Sequence, residues 1–160
     1  MNNDTLIIKM VITEWNKQNA RLDQLLTELS DDQIMAETAP GRNTGAYLLG
    51  HLVAVNDAML PLLNFGQKLH PELEAIFLTN PEKSDLKKPD LATLKSYWKE
   101  INAVLSQHIN ATAPEDWLSR HMAISAEDFS REPHRNKLNI LINRASHQAY
   151  HVGQFIYLKK

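Results

Sequence analysis

Four long segments of this 160-residue chain carry apolar residues at three- and four-residue steps, the spacing of one face of a helix. The first runs from Asp4 to Leu29 and the second from Gly45 to Leu63. The third covers Leu91 to Ile109, and the fourth covers Asn136 to Leu158. Each apolar stripe must be buried against a neighbour, so the sequence predicts an all-α fold built as a four-helix bundle.

Two irregular regions, 64–90 and 110–135, separate the later helices. The length of the first region favours a crossover or a flap over a tight hairpin. Pro71 and Pro114 can each open a short helix within them, and Asp90 can cap the helix that follows the first region. No repeat, low-complexity segment or linker interrupts the chain, so we expect residues 1–160 to form a single domain.

The charge and the hydropathy pattern exclude several classes of partner. The formal net charge is −2 and the 17 lysines and arginines are scattered, whereas nucleic-acid binding requires a basic face. No apolar stretch is long enough to span a membrane, and the N-terminus lacks the features of a signal peptide. We therefore expect a cytoplasmic protein that binds neither nucleic acid nor membrane.

The chain has seven histidines and no cysteine, which limits the chemistry that it can support. His147 and His151 are four residues apart and so share one helix face, from which two imidazoles can reach one metal ion. His51, inside the apolar stripe of the second helix, is the best candidate for a third ligand. The i, i+4 spacing arises by chance in roughly a quarter of chains of this composition. Spacing alone leaves open both a metal site and ordinary buried histidines.

The other histidines are not assigned to the metal. His70 precedes a proline in the first irregular region and is expected to be solvated. His108 falls near the end of the third helix, where a cation favours the helix dipole. His121 and His134 fall in the second irregular region.

Two motifs resemble those of a known family. The segment from Ser146 to Gln154, SHQAYHVGQ, resembles the C-terminal motif of the DinB family, roughly H-x-x-Y-H-x-G-Q. The segment from Leu48 to Leu52, LLGHL, is similar to the L-x-x-H-L motif of that family's second helix. The turn from Leu29 to Gln33 is also similar, and the resemblance covers the whole chain in order and length.

The resemblance implies an up-up-down-down four-helix bundle with a divalent metal ion between the helices. It implies that His51, His147 and His151 are the ligands, since each matches a motif position. It also implies that the chain forms a homodimer. Better understood relatives are thiol-dependent transferases, and others are called metal-dependent hydrolases; the shared motifs do not distinguish between these activities.

A site of three neutral imidazoles leaves the charge of a divalent ion intact and keeps a coordination position open. Such an ion can lower the pKa of water, which leads to hydrolysis, or of an incoming low-molecular-weight thiol, which leads to transfer. Zinc is the first expectation for the metal, with nickel or iron as alternatives.

Several side chains near the predicted ligands can assist, although for each we expect a structural role before a catalytic one. These are Tyr47, Asn143, Gln148, Tyr150 and Gln154. Because no nucleophile–base pair can be placed with them, no catalytic residue is assigned. Arg42, Arg135 or Arg144 could bind the carboxylates of a thiol, and a solvated arginine is the alternative.

Three hypotheses for the function follow. The first is a metal-dependent enzyme that acts on a small molecule, as a thiol-dependent S-transferase or a hydrolase. The second is a non-catalytic metal-binding or stress-associated protein. The third is a structural or interaction bundle whose histidines are ordinary buried polar groups.

Overall fold

The computed structural model describes residues 3–159, which contain eight α-helices and no β-strand. The helices are α1 (Asn3–Glu28), α2 (Asp31–Met35), α3 (Gly45–Leu62), α4 (Leu73–Phe77), α5 (Leu91–Ala111), α6 (Pro114–Trp117), α7 (Ala126–Arg131) and α8 (Lys137–Phe155), followed by a 3₁₀ turn over Ile156–Leu158. The predicted all-α class is confirmed. Across the described residues, every helix falls short of the length and apolar character that a membrane-spanning segment requires.

Polar side chains fix where these helices begin. The hydroxyl of Thr44 accepts a hydrogen bond from the backbone N–H of Tyr47 at the start of α3, and Asp90 caps α5 in the same way. Asn136 caps α8, one residue before the first helical residue. The predicted irregular region 110–135 contains a helix that sequence reasoning missed: α7 is a single short helix capped by Ser125.

Helix α3 lies at the centre of the fold. Its predicted stripe is too narrow, because the helix is buried on nearly all sides: Leu49, Leu52, Val53 and Met59 are enclosed as well. A helix that packs against neighbours on every face has no polar face in its sequence. The core around it includes three fully buried tryptophans, Trp15, Trp98 and Trp117.

The directions of the four long helices follow from contacts between them. Helices α1 and α8 run parallel, since Gln148 bonds Asn19 at 2.7 Å and Lys159 bonds Glu28 at 2.5 Å. Helices α3 and α5 also run parallel, since Asn56 bonds Asn102 at 3.0 Å and the start of α3 lies beside the start of α5.

The second pair of helices runs opposite to the first. Trp98, in the first half of α5, donates to Asp23, in the second half of α1. Residues near the end of α5 lie beside the beginning of α1, so these two helices are antiparallel. The order of directions is therefore up-down-down-up, and the expected up-up-down-down order is wrong. The physical reason is in the connections: residues 29–44 simply reverse the chain, whereas the long connection 63–90 returns it to the start of α3.

The connection 63–90 is the predicted crossover, and it packs along α3 in the opposite direction. The buried carboxylate of Asp57 accepts hydrogen bonds from the backbone N–H groups of Leu69 and His70 at 2.8 and 2.9 Å. Further along, the hydroxyl of Tyr47 donates to the carbonyl of Asn80 at 2.6 Å. These contacts hold α4 against the middle of α3, which bears on the site described next.

Candidate metal centre

The histidine cluster forms where the middle of α3 meets the second half of α8. His147 and His151 occupy one face of α8, one turn apart, and His51 faces them from α3. The two helices are antiparallel at this point, since Gly45 lies beside Leu158 while His51 lies beside His147. The three side chains are half-buried or buried, with His151 exposed by 8%.

The Nε2 atoms of the three imidazoles face one another. The Nε2 of His147 lies 3.2 Å from the Nε2 of His51 and 3.0 Å from the Nε2 of His151. Ligand atoms from all three rings lie within 4.8 Å of one another. No carboxylate belongs to this group, nor does any of the other histidines in the described part of the chain.

Hydrogen bonds on the far side of two rings decide which nitrogen carries the lone pair. The Nδ1 of His51 donates to the carbonyl oxygen of Phe77 at 3.0 Å. The Nδ1 of His151 donates to the Oε1 of Gln154 at 2.6 Å. Because each neutral imidazole has one N–H, the Nε2 atoms of His51 and His151 bear lone pairs that point into the cluster.

Gly50 allows the carbonyl of Phe77 to reach His51. A Cβ at position 50 would lie inside the van der Waals surface of the Phe77 ring. The ring occupies that space and is completely enclosed, so α4 sits close enough for its last residue to bond His51. The glycine before the histidine is therefore part of the site's construction, through packing rather than chemistry.

Burial favours the neutral form of the two histidines of α8. Burial and, after it, the charges of His151, His51 and Arg144 together lower the pKa of His147 to about 4. Burial also lowers the pKa of His151, against an opposing effect of its hydrogen bond to Gln154. At neutral pH these two imidazoles are uncharged, which is the protonation state that binds a metal ion.

These observations test whether the residues fit a divalent ion. Three nitrogen lone pairs that converge, with two rings oriented by outer hydrogen bonds, form the usual set of histidine ligands for such an ion. Without a cation, these lone pairs would repel one another at about 3 Å. Only His147 could place its N–H group on Nε2, so the three nitrogens would have at most one proton among them. The donor set fits a transition metal ion better than it fits a hydrogen-bonded histidine cluster.

The sequence model of the DinB superfamily matches residues 14–155. The chain belongs to the DinB superfamily. The matched range contains all three histidines, and the family predicted from the sequence is thereby confirmed. A comparison with curated proteins finds no match.

The polar side chains that the sequence placed near the histidines have distinct positions. Gln154 orients His151, as described above, and Tyr47 bonds the crossover connection rather than the cluster. Gln148 is buried and donates to Asn19 of α1, so its side chain ties two helices together. Tyr150 is 65% exposed, with its ring near that of His151.

Two of the three arginines considered from sequence are remote from the cluster or already paired. Arg42 is exposed, and Arg135 forms an ion pair with Glu132 at 2.8 Å. Arg144 precedes His147 by three residues on α8 and is half-buried. Asn143, the other polar candidate on α8, is exposed and bonds only Asn139 at 3.4 Å.

His70 is not solvated as expected. Its ring stacks on Tyr97 with 3.6 Å between ring centroids, and its Nε2 lies 2.9 Å from a carboxylate oxygen of Glu100. The crossover connection presses it against α5, which propensity alone could not show. His108 stacks on Phe65, and His121 is buried with its Nδ1 accepting from the N–H of Ala123.

The element that sequence reasoning missed at this site is the carbonyl of Phe77. A backbone carbonyl leaves no signature in side-chain chemistry, and residue 77 is distant from His51 in the chain. The signal that could have pointed to it is Gly50, because a glycine inside an apolar helix often marks a close approach of another element.

Two grooves of about 410 Å³ lie outside the cluster. One is between α1 and α8, lined in part by Met10 and Ile142. The other is between the starts of α3 and α5 and includes Tyr47 and Phe77, the residue whose carbonyl oxygen bonds the Nδ1 of His51. Neither groove is lined by the three histidines.

Proposed function

We propose that this member of the DinB superfamily is a metal-dependent enzyme that acts on a small molecule, with a divalent ion held by His51, His147 and His151. The observation that carries the proposal is the convergence of three imidazole Nε2 atoms with no carboxylate among them. Neutral ligands leave the full charge of the ion available to a substrate.

Thiol transfer is favoured over hydrolysis. A bound divalent ion supplies a Lewis acid that stabilises a deprotonated substrate group. A thiol, with a pKa of about 8.5, gives up its proton more easily than water does. The described residues place no carboxylate in the cluster that could serve as a general base for water. With no cysteine in the chain, the thiol would be a co-substrate.

The proposed reaction balances without an oxidant. The thiolate sulfur forms a bond to an electrophilic carbon of the second substrate, and the leaving group departs with its electron pair. The thiol proton passes to solvent. The chain's own contribution is to favour the neutral form of His147 and His151, through burial, and to orient His51 and His151, through Phe77 and Gln154.

Zinc is the proposed metal, since it binds imidazole ligands strongly in a tetrahedral site and leaves one position open. Nickel and iron are also suited to imidazole. Elemental analysis of untagged protein, purified without a metal column, decides among them. We expect about one zinc ion per chain.

The matched comparison is a His147→Ala/His151→Ala variant beside a His108→Ala/His134→Ala variant. Both lose two histidines, but only the first pair belongs to the cluster. We expect the first variant to hold little metal and the second to hold as much as the native protein. Equal metal in all three proteins, or none in any, contradicts the proposal.

Activity is tested on the metal-loaded protein. Transfer of a small thiol to an aryl chloride is followed by chloride release, and hydrolysis is followed with p-nitrophenyl acetate. We expect metal-dependent transfer that the double histidine variant lacks. Metal-dependent ester hydrolysis without thiol transfer would mean that the enzyme is a hydrolase and not a transferase.

A second candidate is a non-catalytic metal-binding or stress-associated protein. The observation in its favour is that the two 410 Å³ grooves are both lined by residues other than the histidines. Stoichiometric metal together with no turnover of either substrate class would select this candidate.

We also propose that the four long helices form one four-helix bundle, with the up-down-down-up order described above, and that two chains associate through α1 and α8. The support is a groove between these helices that is bordered by exposed apolar side chains, among them Ile7, Met10 and Ile142. A contiguous patch of exposed apolar side chains can mark a protein–protein interface.

Sedimentation of the native protein tests the dimer. We expect a dimer for the native chain and a monomer for Met10→Glu/Ile142→Glu. The control is Met122→Glu, an equally exposed methionine away from the groove. A monomeric native protein, or a dimer that survives the double substitution, contradicts the proposal.

A further inference from the structure

Arg144 is a half-buried cation without a counter-charge. Its Nε is shielded from solvent and has no hydrogen-bond partner. No carboxylate of residues 3–159 forms an ion pair with it. An N–H group that is buried without an acceptor costs free energy, and a ligand oxygen that accepted from it would remove that cost.

The other half-buried arginines of the described chain are satisfied. Arg120 donates to the carbonyl of Ile124 at 2.5 Å, and Arg135 pairs with Glu132. The exposed Arg131 pairs with Glu127 and Asp128. Arg144 thus differs from its counterparts in combining burial with the absence of any partner.

The position of Arg144 relates it to the histidine cluster. Arg144, His147 and His151 are spaced three and four residues apart, so they follow one another along one face of α8. The Nδ1 of His147 is itself a buried atom without a partner.

The charges at this place are all of one sign. With a divalent ion on the three imidazoles, the ion and the guanidinium would add to a strongly positive region that no carboxylate of the cluster offsets. Arginine presents a planar fork of N–H groups that matches the two oxygens of a carboxylate or a phosphate. A region with this charge and these donors selects for an oxyanion.

We propose that Arg144 binds an oxyanion of the substrate, a carboxylate or a phosphate, and so restricts the substrates of the site to small anions. The proposal rests on the proposed function in that the anion is placed beside the metal-binding histidines. Arg144 acts as a specificity residue: it binds the non-reacting end of the substrate while the reacting end lies at the histidines.

The test measures anion binding by calorimetry, with acetate and inorganic phosphate as probes and acetamide as the uncharged counterpart of acetate. The proteins are native, Arg144→Gln, Arg144→Lys and the exposed control Arg42→Gln, each metal-free and zinc-loaded. We expect native protein and Arg42→Gln to bind the two anions alike and acetamide poorly. Arg144→Gln should bind the anions about tenfold more weakly, and Arg144→Lys should be intermediate.

The outcomes separate this proposal from the proposed function. Equal anion affinity in native protein and Arg144→Gln, or no saturable anion binding by the native protein, overturns the role of Arg144. Zinc content is measured on the same samples and should be unchanged by Arg144→Gln. A native protein that holds no zinc overturns the proposed function, while the metal-free titrations still decide whether Arg144 binds anions.

Discussion

The crossover connection takes part in two histidine sites, and these sites differ in the groups that face the imidazoles. His70, in the connection, stacks on Tyr97 and has a carboxylate oxygen of Glu100 at 2.9 Å from its Nε2. Glu72 lies on the other side of the ring, 3.7 Å from its Nδ1. The cluster of His51, His147 and His151 has no carboxylate, and its Nε2 atoms face one another.

The difference teaches what turns a buried histidine into a candidate ligand. An imidazole that meets a carboxylate has its hydrogen bond completed within the chain and fastens one segment to another. Imidazoles whose outer nitrogens donate to Phe77 and Gln154 are left with lone pairs directed at a common point. The first arrangement serves the fold, and the second has the geometry that can hold a cation.

The largest expected effect comes from removing one histidine from each site and comparing the two variants. His147→Ala should reduce bound metal from about one ion per chain to almost none, because a ligand is lost. His70→Ala should keep the metal but lower the free energy of unfolding by about 1–2 kcal/mol, through the lost stack and hydrogen bond. Elemental analysis and denaturant unfolding measure the two quantities on both variants.

If His70→Ala releases the metal while remaining folded, the division into a structural site and a ligand site fails. His147→Ala that retains stoichiometric metal would break the comparison from the other side.

Gly50→Ala should disturb both the packing of α4 against α3 and the histidine cluster. The added methyl group would overlap the Phe77 ring, so α4 must move away from α3, at a cost of about 1–3 kcal/mol. Metal affinity should fall as well, since His51 loses the carbonyl that orients it. Denaturant unfolding and metal titration measure the two effects.

Gly153→Ala is the matched control, because its Cβ would meet nothing within 4 Å on the exposed side of α8. We expect it to be neutral or to stabilise the helix by about 0.5–1 kcal/mol. Equal stability of the two variants would show that close packing at residue 50 is not required.

Gln154→Ala sharpens the comparison from the ligand side. Removing the acceptor that orients His151 should weaken metal binding about 10- to 100-fold, with little change in the fold. Asn143→Ala, on the exposed side of the same helix, should leave the affinity unchanged. Competition with a chelator measures both, and an equal effect of the two substitutions would refute an orienting role for Gln154.

The smallest expected effect is a pH dependence of the metal-free protein. The unfolded chain binds protons on His147 near pH 6.5, whereas burial, the first cause, lowers the folded pKa to about 4. Between these values the unfolded state binds more protons, so stability is full above pH 6.5 and declines as the pH falls toward 4.

Thermal unfolding from pH 7.5 to 4 measures this decline against His147→Gln. The native protein should lose at least about 3 °C more than the variant over this interval, given about 2–4 °C for each kcal/mol in a chain of this size. Parallel curves would indicate that His147 is solvated and titrates normally.

The sequence by itself determined the helices, their starts and the identity of the cluster. Apolar steps of three and four residues predicted all four long helices to within a few residues, and Asp90 capped α5 as expected. His147 and His151 share a face because of the helix period alone. The motifs around them sufficed to predict the family that the chain belongs to.

Only the tertiary structure decided the helix directions, the partners of His70 and the carbonyl that orients His51. Each depends on where the connection 63–90 lies, and that connection is held by backbone groups bonded to Asp57 and by Phe77 seated on Gly50. Local propensity describes a residue and its near neighbours in the chain. It cannot describe contacts between backbone atoms and side chains that are distant in sequence and meet only when the helices have packed.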